Sequence, residues 1–375
     1  MKVAINALSA TNISSGHVLF GHLRQIVKSD CKKHTYLLLY SESSKKKNVN
    51  MGPSVKWVQC PGYTRHWIAR TLWEYFKLPG LLSEIGADIY FTPAGAITSP
   101  IRIPQICFAQ NPWFLVNSIK KSPYGELKSI MQKANYNVAM SEAAMMVFNS
   151  KYMRNLYRKN AGFFEKSSEI VYQAIDDETH LAASEIFKEY DQRKQQILAV
   201  SAMADHKNIE SLVRAVNVLC RKYCLSVGLI LAGPWADKRY KYKIEQIIKK
   251  LGLNDLIKIT GYVTRQELND LYASSRVFCL MSRCESFGIP AVEAQAFGTP
   301  VVSSNCCAIQ EICGNGGVYV DPDDFEKVAE EINKLLTDSI YWGKISELAR
   351  RNAGKYKWEE CSKPLLKIFN TFINK

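Results

Sequence analysis

Short apolar runs alternate along this chain with longer stretches patterned for helices, and this alternation narrows the possible folds more than any other feature. Strands separated by helices build βαβ units, which pair as parallel sheets with helices on their faces. In the first half, strands are expected at Val3–Ala7, Thr35–Tyr40, Val55–Val58, Ile89–Thr92, Gln105–Phe108 and Met145–Phe148. Helices are expected over Val18–Lys28, Trp67–Glu84, Gly125–Ala139 and Lys151–Lys159. The second half repeats the scheme, with strands at Gln196–Ser201, Val227–Ala232, Ile257–Thr260, Val277–Met281, Thr299–Ser303 and Gly317–Val320. Its helices are expected at Asn208–Tyr223, Lys241–Leu251, Arg265–Ala273, Ala291–Phe297 and Asp324–Leu336.

A chain of 375 residues has room for two domains at roughly 100–200 residues each. The stretch Gln173–Lys194, polar and acidic and then helix-prone, separates the halves and reads as a linker. The expected division is a first domain over 1–172, a linker over 173–195, a second domain over 196–357, and a last helix over 358–375 packing back on the first. The fold class is α/β: two Rossmann-like, doubly wound domains facing a cleft, with ligands at the carboxyl ends of the strands.

The net charge of +14 falls wholly within residues 1–160. A basic half implies an anionic partner, such as a phosphate-bearing substrate, nucleic acid or an acidic membrane face, or else serves solubility alone. No apolar run approaches the ~20 residues of a membrane-spanning helix, and the N-terminus reads as a buried strand, so a cytoplasmic location is expected. The 11 cysteines include no Cys-x-x-Cys pair, and no histidine sits at zinc-ligand spacing near the closest sets, Cys220/Cys224 and Cys306/Cys307/Cys313, which read as core filler. Several, such as Cys107 and Cys279, lie in apolar runs and read as core filler. His17, His22, His34, His66 and His180 read as solvated or capping residues.

The segment Glu285-Ser286-Phe287-Gly288-Ile289-Pro290-Ala291-Val292-Glu293 carries the most chemistry. A strand ends before it and helix formers begin after Pro290, whose fixed φ and missing N–H suit a helix start. Gly288 lets backbone come close to a ligand. The helix N-terminus offers free N–H groups and partial positive charge, a site for a diphosphate. Two carboxylates beside an anion site would repel it unless they bind something else, and sugar hydroxyls are suitable partners.

Continuing through Gly298-Thr299-Pro300-Val301-Val302, the segment resembles the signature of retaining GT-B glycosyltransferases of family four. That signature has two glutamates with seven residues between them around a glycine-containing loop, then a Gly-Thr-Pro-Val strand entry; Ser286 stands where glycine is more usual. The resemblance implies a nucleoside-diphosphate sugar donor, UDP- or GDP-linked, with no further cofactor and no metal. It implies that Glu285 bonds the donor sugar, that Ser286, Phe287, Gly288 and Ile289 meet sugar and phosphate, and that Glu293 holds the ribose. Ala204-Asp205-His206-Lys207-Asn208 resembles the family's phosphate loop, with Lys207 as the cation on the diphosphate. The family's usual arginine nearby is missing, and Arg283 is a candidate replacement. Leu231-Ala232-Gly233-Pro234 and Gly261-Tyr262-Val263 resemble the strand ends of the base pocket.

In the first half, Ser14-Ser15-Gly16 resembles a shortened glycine-rich loop with Gly16 toward the phosphates. Gln110 and Asn111 stand where many relatives have a histidine–aspartate pair; they can bond an acceptor but cannot titrate. The implied reaction is transfer with retention to a glycan or lipid-linked acceptor, in cell-surface polysaccharide or glycoconjugate synthesis, with the basic half suited to an anionic membrane surface. The alternative is a non-catalytic nucleotide-sugar- or anion-binding protein of the same fold. No Gly-x-Gly-x-x-Gly follows any expected strand, which argues against a nicotinamide enzyme, and no aromatic-basic motif supports nucleic-acid binding.

Overall fold

A computed structural model of the chain describes residues 1–10, 13–30, 33–42, 51–97, 101–116, 123–162 and 167–373. The chain divides into two compact units, Met1–Ala174 with Trp358–Lys375, and Ile175–Lys357.

The first unit opens with β1 (Lys2–Asn6), α1 (Ile13–Ser29), β2 (Thr35–Tyr40), β3 (Val55–Gln59), α2 (Trp67–Phe76) and α3 (Leu78–Glu84). Then come β4 (Ile89–Thr92), β5 (Gln105–Ala109), α4 (Pro123–Glu142), β6 (Met145–Phe148), α5 (Lys151–Ala161) and β7 (Ser168–Ile170). These strands form one parallel sheet in the order β3-β2-β1-β4-β5-β6-β7. Strands β4 and β5 are buried along their whole length, which explains why they read as continuous apolar runs.

The second unit begins with α6 (Asp177–Glu185), β8 (Lys194–Val200), α7 (Ile209–Lys222), β9 (Gly228–Ala232), α8 (Lys238–Leu251), β10 (Ile257–Gly261) and α9 (Arg265–Ser274). It continues through β11 (Ser275–Leu280), α10 (Ile289–Ala296), β12 (Val301–Ser304), α11 (Ile309–Cys313), β13 (Gly317–Val320), α12 (Phe325–Thr337) and α13 (Ser339–Ala353). Its sheet is parallel in the order β10-β9-β8-β11-β12-β13. A last helix, α14 (Trp358–Thr371), packs in the first unit, where Leu365, Ile368 and Phe369 are buried among α1 and the sheet. Its contact with α1 depends on Gly21, where a Cβ would come within 2.3 Å of Trp358 Cζ2.

Several expectations are corrected. The helix-prone part of the expected linker forms α6, as its sequence suggests, but it belongs to the second unit, with Thr179 and Ala183 buried and acidic residues in its first turn. The single helix expected over 67–84 breaks at Lys77, because Pro79 in the first turn of α3 has no N–H to continue α2. Gly16 lies in the first turn of α1, buried, rather than in a loop. Its neighbour Ser14 is outside the residues whose side chains are described. His22 and His34 are core residues: His22 Nδ1 lies 2.9 Å from Ser362 Oγ, and His34 Nδ1 lies 2.7 Å from Asp30 Oδ1. Burial, with His17 nearby, pulls the His22 pKa down to about 3.

Arg193, within the expected linker, is buried at the entrance to β8. Its guanidinium donates to the carbonyls of Lys188 (2.8 Å), Tyr272 (3.3 Å), Ser275 (3.1 Å) and Phe297, and to Thr299 Oγ1 (2.8 Å), while stacking 4.9 Å over the Trp342 ring. One planar fork thus joins the entrances of β8 and β11 to the turn before β12. Arg193→Ala leaves several of these acceptors, the Ser275 and Phe297 carbonyls among them, without the guanidinium and removes its stacking on Trp342, so urea denaturation should show a loss of about 3 kcal/mol or more. Arg193→Lys should recover only part of it, because an ammonium lacks the fork geometry.

Candidate functional site

Numbered within its own unit, the second sheet runs 3-2-1-4-5-6, so the strand order reverses between β8 and β11. Crossovers leave these two strands toward opposite edges, and the loops at their carboxyl ends open a crevice where doubly wound folds bind ligands. The loop after β8 holds a 3₁₀ turn, Asp205–Lys207, closed by Asn208 at φ +52°, a left-handed conformation that asparagine tolerates. Asn208 Nδ2 donates to the Pro322 carbonyl at 2.7 Å. The loop after β11 is tied to it: the Arg283 N–H donates to the His206 carbonyl at 2.8 Å.

These two loops bring Lys207 and Glu285 together. The Lys207 ammonium donates to Glu285 Oε1, which also accepts from Ser282 Oγ at 3.3 Å. Both side chains are mostly buried, at 14% and 15% exposed, so each offsets the desolvation of the other. Just beyond, Gly288 caps α10 at φ +92°, and a Cβ there would lie 2.1 Å from Ile309 Cδ1. Phe287 is buried edge-on against Tyr356, with ring centroids 5.4 Å apart. Gly288 and Ile289 therefore carry N–H groups of a helix start that α10 cannot itself use.

Glu293 lies further into α10, almost fully buried. Its Oε1 accepts from Arg265 Nη1 at 2.7 Å and its Oε2 from Tyr272 O–H at 2.9 Å. Arg265 is the first residue of α9, whose start is fixed by a capping box between Thr264 and Glu267. Burial, reinforced by the Glu293 carboxylate, pushes the Tyr272 pKa well up and keeps its proton on that bond.

Residues 183–356 match the family model described as Glycosyl transferases group 1. Over this stretch, a little under half of the chain, the sequence resembles that family. It is 30% identical over 167 residues to O-antigen chain mannosyltransferase B of Escherichia coli, spanning 44% of this chain and 43% of that protein. The chain thus covers less than half the length of that relative. Two solved structures share the fold along the chain. Sucrose-phosphate synthase from Thermosynechococcus elongatus superposes with a TM-score of 0.76 at 15% identity, covering 100% of this chain and 99% of that one. HepE from Anabaena, solved with UDP and glucose, gives 0.71 at 17% identity, covering 99% of this chain and 100% of that one. The fold is that of the GT-B glycosyltransferases.

Within the group 1 region the switch point gathers Lys207, Glu285, Ser286, Phe287, Gly288 and Ile289. Gly233 ends the neighbouring strand β9 at φ +132°, where a Cβ would fall 1.9 Å from the Ser201 carbonyl oxygen, so only glycine fits. Glu293 has protein partners on both oxygens, a pairing absent from the sequence reading. Arg283 is not a free cation, since its guanidinium pairs with Asp323. Gly16, Gln110 and Asn111 lie in the other unit. Asn111 spends its Oδ1 on the Trp113 N–H at 2.9 Å, which holds a turn rather than offering that oxygen to an acceptor.

Sequence reasoning missed Ser282, Arg265 and Tyr272, and it reads the vicinal thiols Cys306 and Cys307 as core filler, whereas Cys306 is exposed. Both thiols reach the Ser282 carbonyl, at 3.8 and 3.7 Å. The hydrogen bond from Cys307 is the main cause lowering the Cys306 pKa to about 7. The only signal for Arg265 was its place directly after the Thr-x-x-Glu cap; the others depend on contacts between distant segments.

Two outcomes follow from this geometry. Gly288→Ala should cost roughly 1–3 kcal/mol in chemical denaturation, and the loss should be less than additive with Ile309→Ala, which removes the clashing methyl group. His206, driven down to about 4 by burial and then by Lys207, against the pull of Glu285 and Asp205, stays neutral where the unfolded chain's imidazole, at about 6.5, already binds a proton. Stability should therefore fall as pH drops from about 6.5 toward 4, and His206→Gln should flatten part of that slope in urea melts at stepped pH.

Proposed function

We propose that the chain transfers a sugar from a nucleoside-diphosphate sugar to a hydroxyl of a glycan or lipid-linked glycan, with retention of anomeric configuration. The observation that carries this reading is the Lys207–Glu285 pair beside the α10 start at the strand-order switch. A diphosphate arriving there draws the Lys207 ammonium and the first-turn N–H groups of α10 toward its oxygens. Glu285, released from Lys207, then accepts hydrogen bonds from the hydroxyls of the donor sugar. The bond between the anomeric carbon and the phosphate oxygen breaks as the acceptor oxygen attacks the same face. The acceptor's proton passes to the departing diphosphate oxygen, so no protein base is required.

That route suits the side chains available. His206 is held neutral and is half-buried, and Gln110 and Asn111 cannot titrate. Lys207 and α10 supply the positive charge that stabilises the leaving group, the interaction that strengthens most as the bond breaks. Glu293, held by Arg265 and Tyr272, offers its remaining lone pairs to the ribose diol. The O-antigen mannosyltransferase relative and the UDP-bound HepE structure support a hexosyl donor and a role in cell-surface polysaccharide synthesis.

A thermal-shift screen should find stabilisation by uridine or guanosine diphosphates and their sugars; a nicotinamide cofactor as the sole stabiliser would overturn the reading. With the responding donor, Glu285→Gln should lower kcat/KM by roughly 10²–10⁴-fold while nucleoside diphosphate still binds, and the melting temperature lost by leaving Lys207 without its carboxylate should be largely restored by that diphosphate. Donor binding without any turnover by the parent protein would assign it instead to the non-catalytic class. Turnover should also survive a chelator, since Lys207 and α10 carry the charge in this reading.

A further inference from the structure

The segment between β12 and α11 carries two adjacent thiols that the proposed reaction does not use. Cys306 is exposed and Cys307 is buried, yet both reach one acceptor, the Ser282 carbonyl, which also accepts from Ser304 Oγ. Ser304 Oγ lies 3.3 Å from Cys307 Sγ, so both thiols and the hydroxyl gather around a single oxygen. A carbonyl oxygen has two lone pairs, so three donors exceed its capacity. The exposed Cys306 is the donor that can release its proton, because water solvates its anion. The hydrogen bond from Cys307, joined by one from Ser304, then falls on the Cys306 sulfur and lowers that thiol to about 7. The same bond, together with burial, pushes Cys307 well up.

The pair is thus divided into an exposed thiolate and a buried thiol that keeps its proton. Thiolates are the nucleophiles of thiol–disulfide exchange, so Cys306 can attack and Cys307 is a poor second nucleophile. Adjacency adds to that difference. Neighbouring Cα atoms stand about 3.8 Å apart, short of the roughly 4.4–6.8 Å that a relaxed disulfide spans. A ring between the two would be strained and readily reduced.

Position gives the thiolate a consequence. Ser282 donates its hydroxyl to Glu285 Oε1 at 3.3 Å. Ala308, two residues after Cys306, donates its N–H to the Glu285 carbonyl at 3.2 Å. Ile309, the first residue of α11, is the residue packed against Gly288. A group added to Cys306 therefore presses on the segment that holds both Glu285 and the α10 start.

We propose that Cys306 is a site of reversible mixed-disulfide formation with a small-molecule disulfide of the glutathione class, and that the adduct slows transfer by shifting Glu285. The Cys306 sulfur attacks one sulfur of the small disulfide. Its S–S bond breaks as the new one forms, and the other half leaves as a thiolate that takes a proton from water. One disulfide is consumed and one is made, so no further oxidant is needed. Cys307 stays a thiol. Only the effect on transfer rests on the proposed function.

Oxidised glutathione, incubated with the full chain at neutral pH, is the probe. Peptide mass mapping should find one glutathione on Cys306. Cys224, the other exposed thiol among the described residues, follows α7 at the end away from Lys207, roughly 20 Å of helix distant, and serves as the reference. Cys306 should react about tenfold or more faster than Cys224. Cys307→Ala removes the hydrogen bond that favours the thiolate and should slow the Cys306 adduct by about tenfold. Should that buried change unfold the protein, Cys306→Ser, an exposed and conservative change, still decides. Parent transfer should fall about threefold or more with the adduct and return with dithiothreitol, whereas transfer by Cys306→Ser should not respond to the reagent. Four results would each overturn the proposal: Cys306 reacting no faster than Cys224, an internal Cys306–Cys307 disulfide in place of the adduct, a complete adduct that leaves transfer untouched, or equal losses in parent and Cys306→Ser. The mass readout needs no donor, so failure of this site and failure of the proposed function register separately.

Discussion

The pairing of β8 with β11 at the centre of the second sheet is the constraint on which the candidate site depends. Because the chain leaves these parallel neighbours toward opposite edges, nothing crosses between their carboxyl ends, and two loops from distant parts of the sequence meet there. Lys207 arrives on one and Glu285 on the other, 78 positions apart in the chain. Arg193 fastens the opposite ends of the same strands, so the register that aligns the loops is held from below by one buried side chain.

The pair itself is balanced for exchange. Two mostly buried charges compensate each other, and removing either partner would strand the other in a poor solvent. In the proposed reaction an incoming diphosphate would offer Lys207 a second anion beside a helix start and leave Glu285 to hydroxyl donors. Gly288 makes the exchange sterically possible. With its Cα packed against Ile309, α10 starts at a point that any side chain would push away. Rigid backbone and exchangeable side chains thus occupy one small region.

Much of this was legible in the sequence. Thr35–Tyr40, Ile89–Thr92, Met145–Phe148 and Gly317–Val320 form strands with the expected ends, because strands in a doubly covered parallel sheet advertise themselves as unbroken apolar runs. The α10 start was legible through Gly288 and Pro290, whose backbone preferences are local. The rest failed where local and long-range forces diverge. Acidic Asp176–Glu178 reads as part of a linker, yet it starts a helix that packs in the second unit. His22 looks polar until α14 returns over it and supplies Ser362. Gly16 looks like a loop residue because glycine is a poor helix former, yet α1 already includes it. The Arg265–Glu293–Tyr272 cluster joins two helices, and no spacing within either one announces it.

The central claim is that Lys207 and the α10 start form a diphosphate site gated by Glu285. Titration calorimetry of the responding nucleoside diphosphate against the parent and Lys207→Ala tests it most directly. The account predicts affinity weaker by about tenfold or more in the variant, with the corresponding nucleoside binding both proteins alike. Equal diphosphate affinity for parent and variant would contradict it.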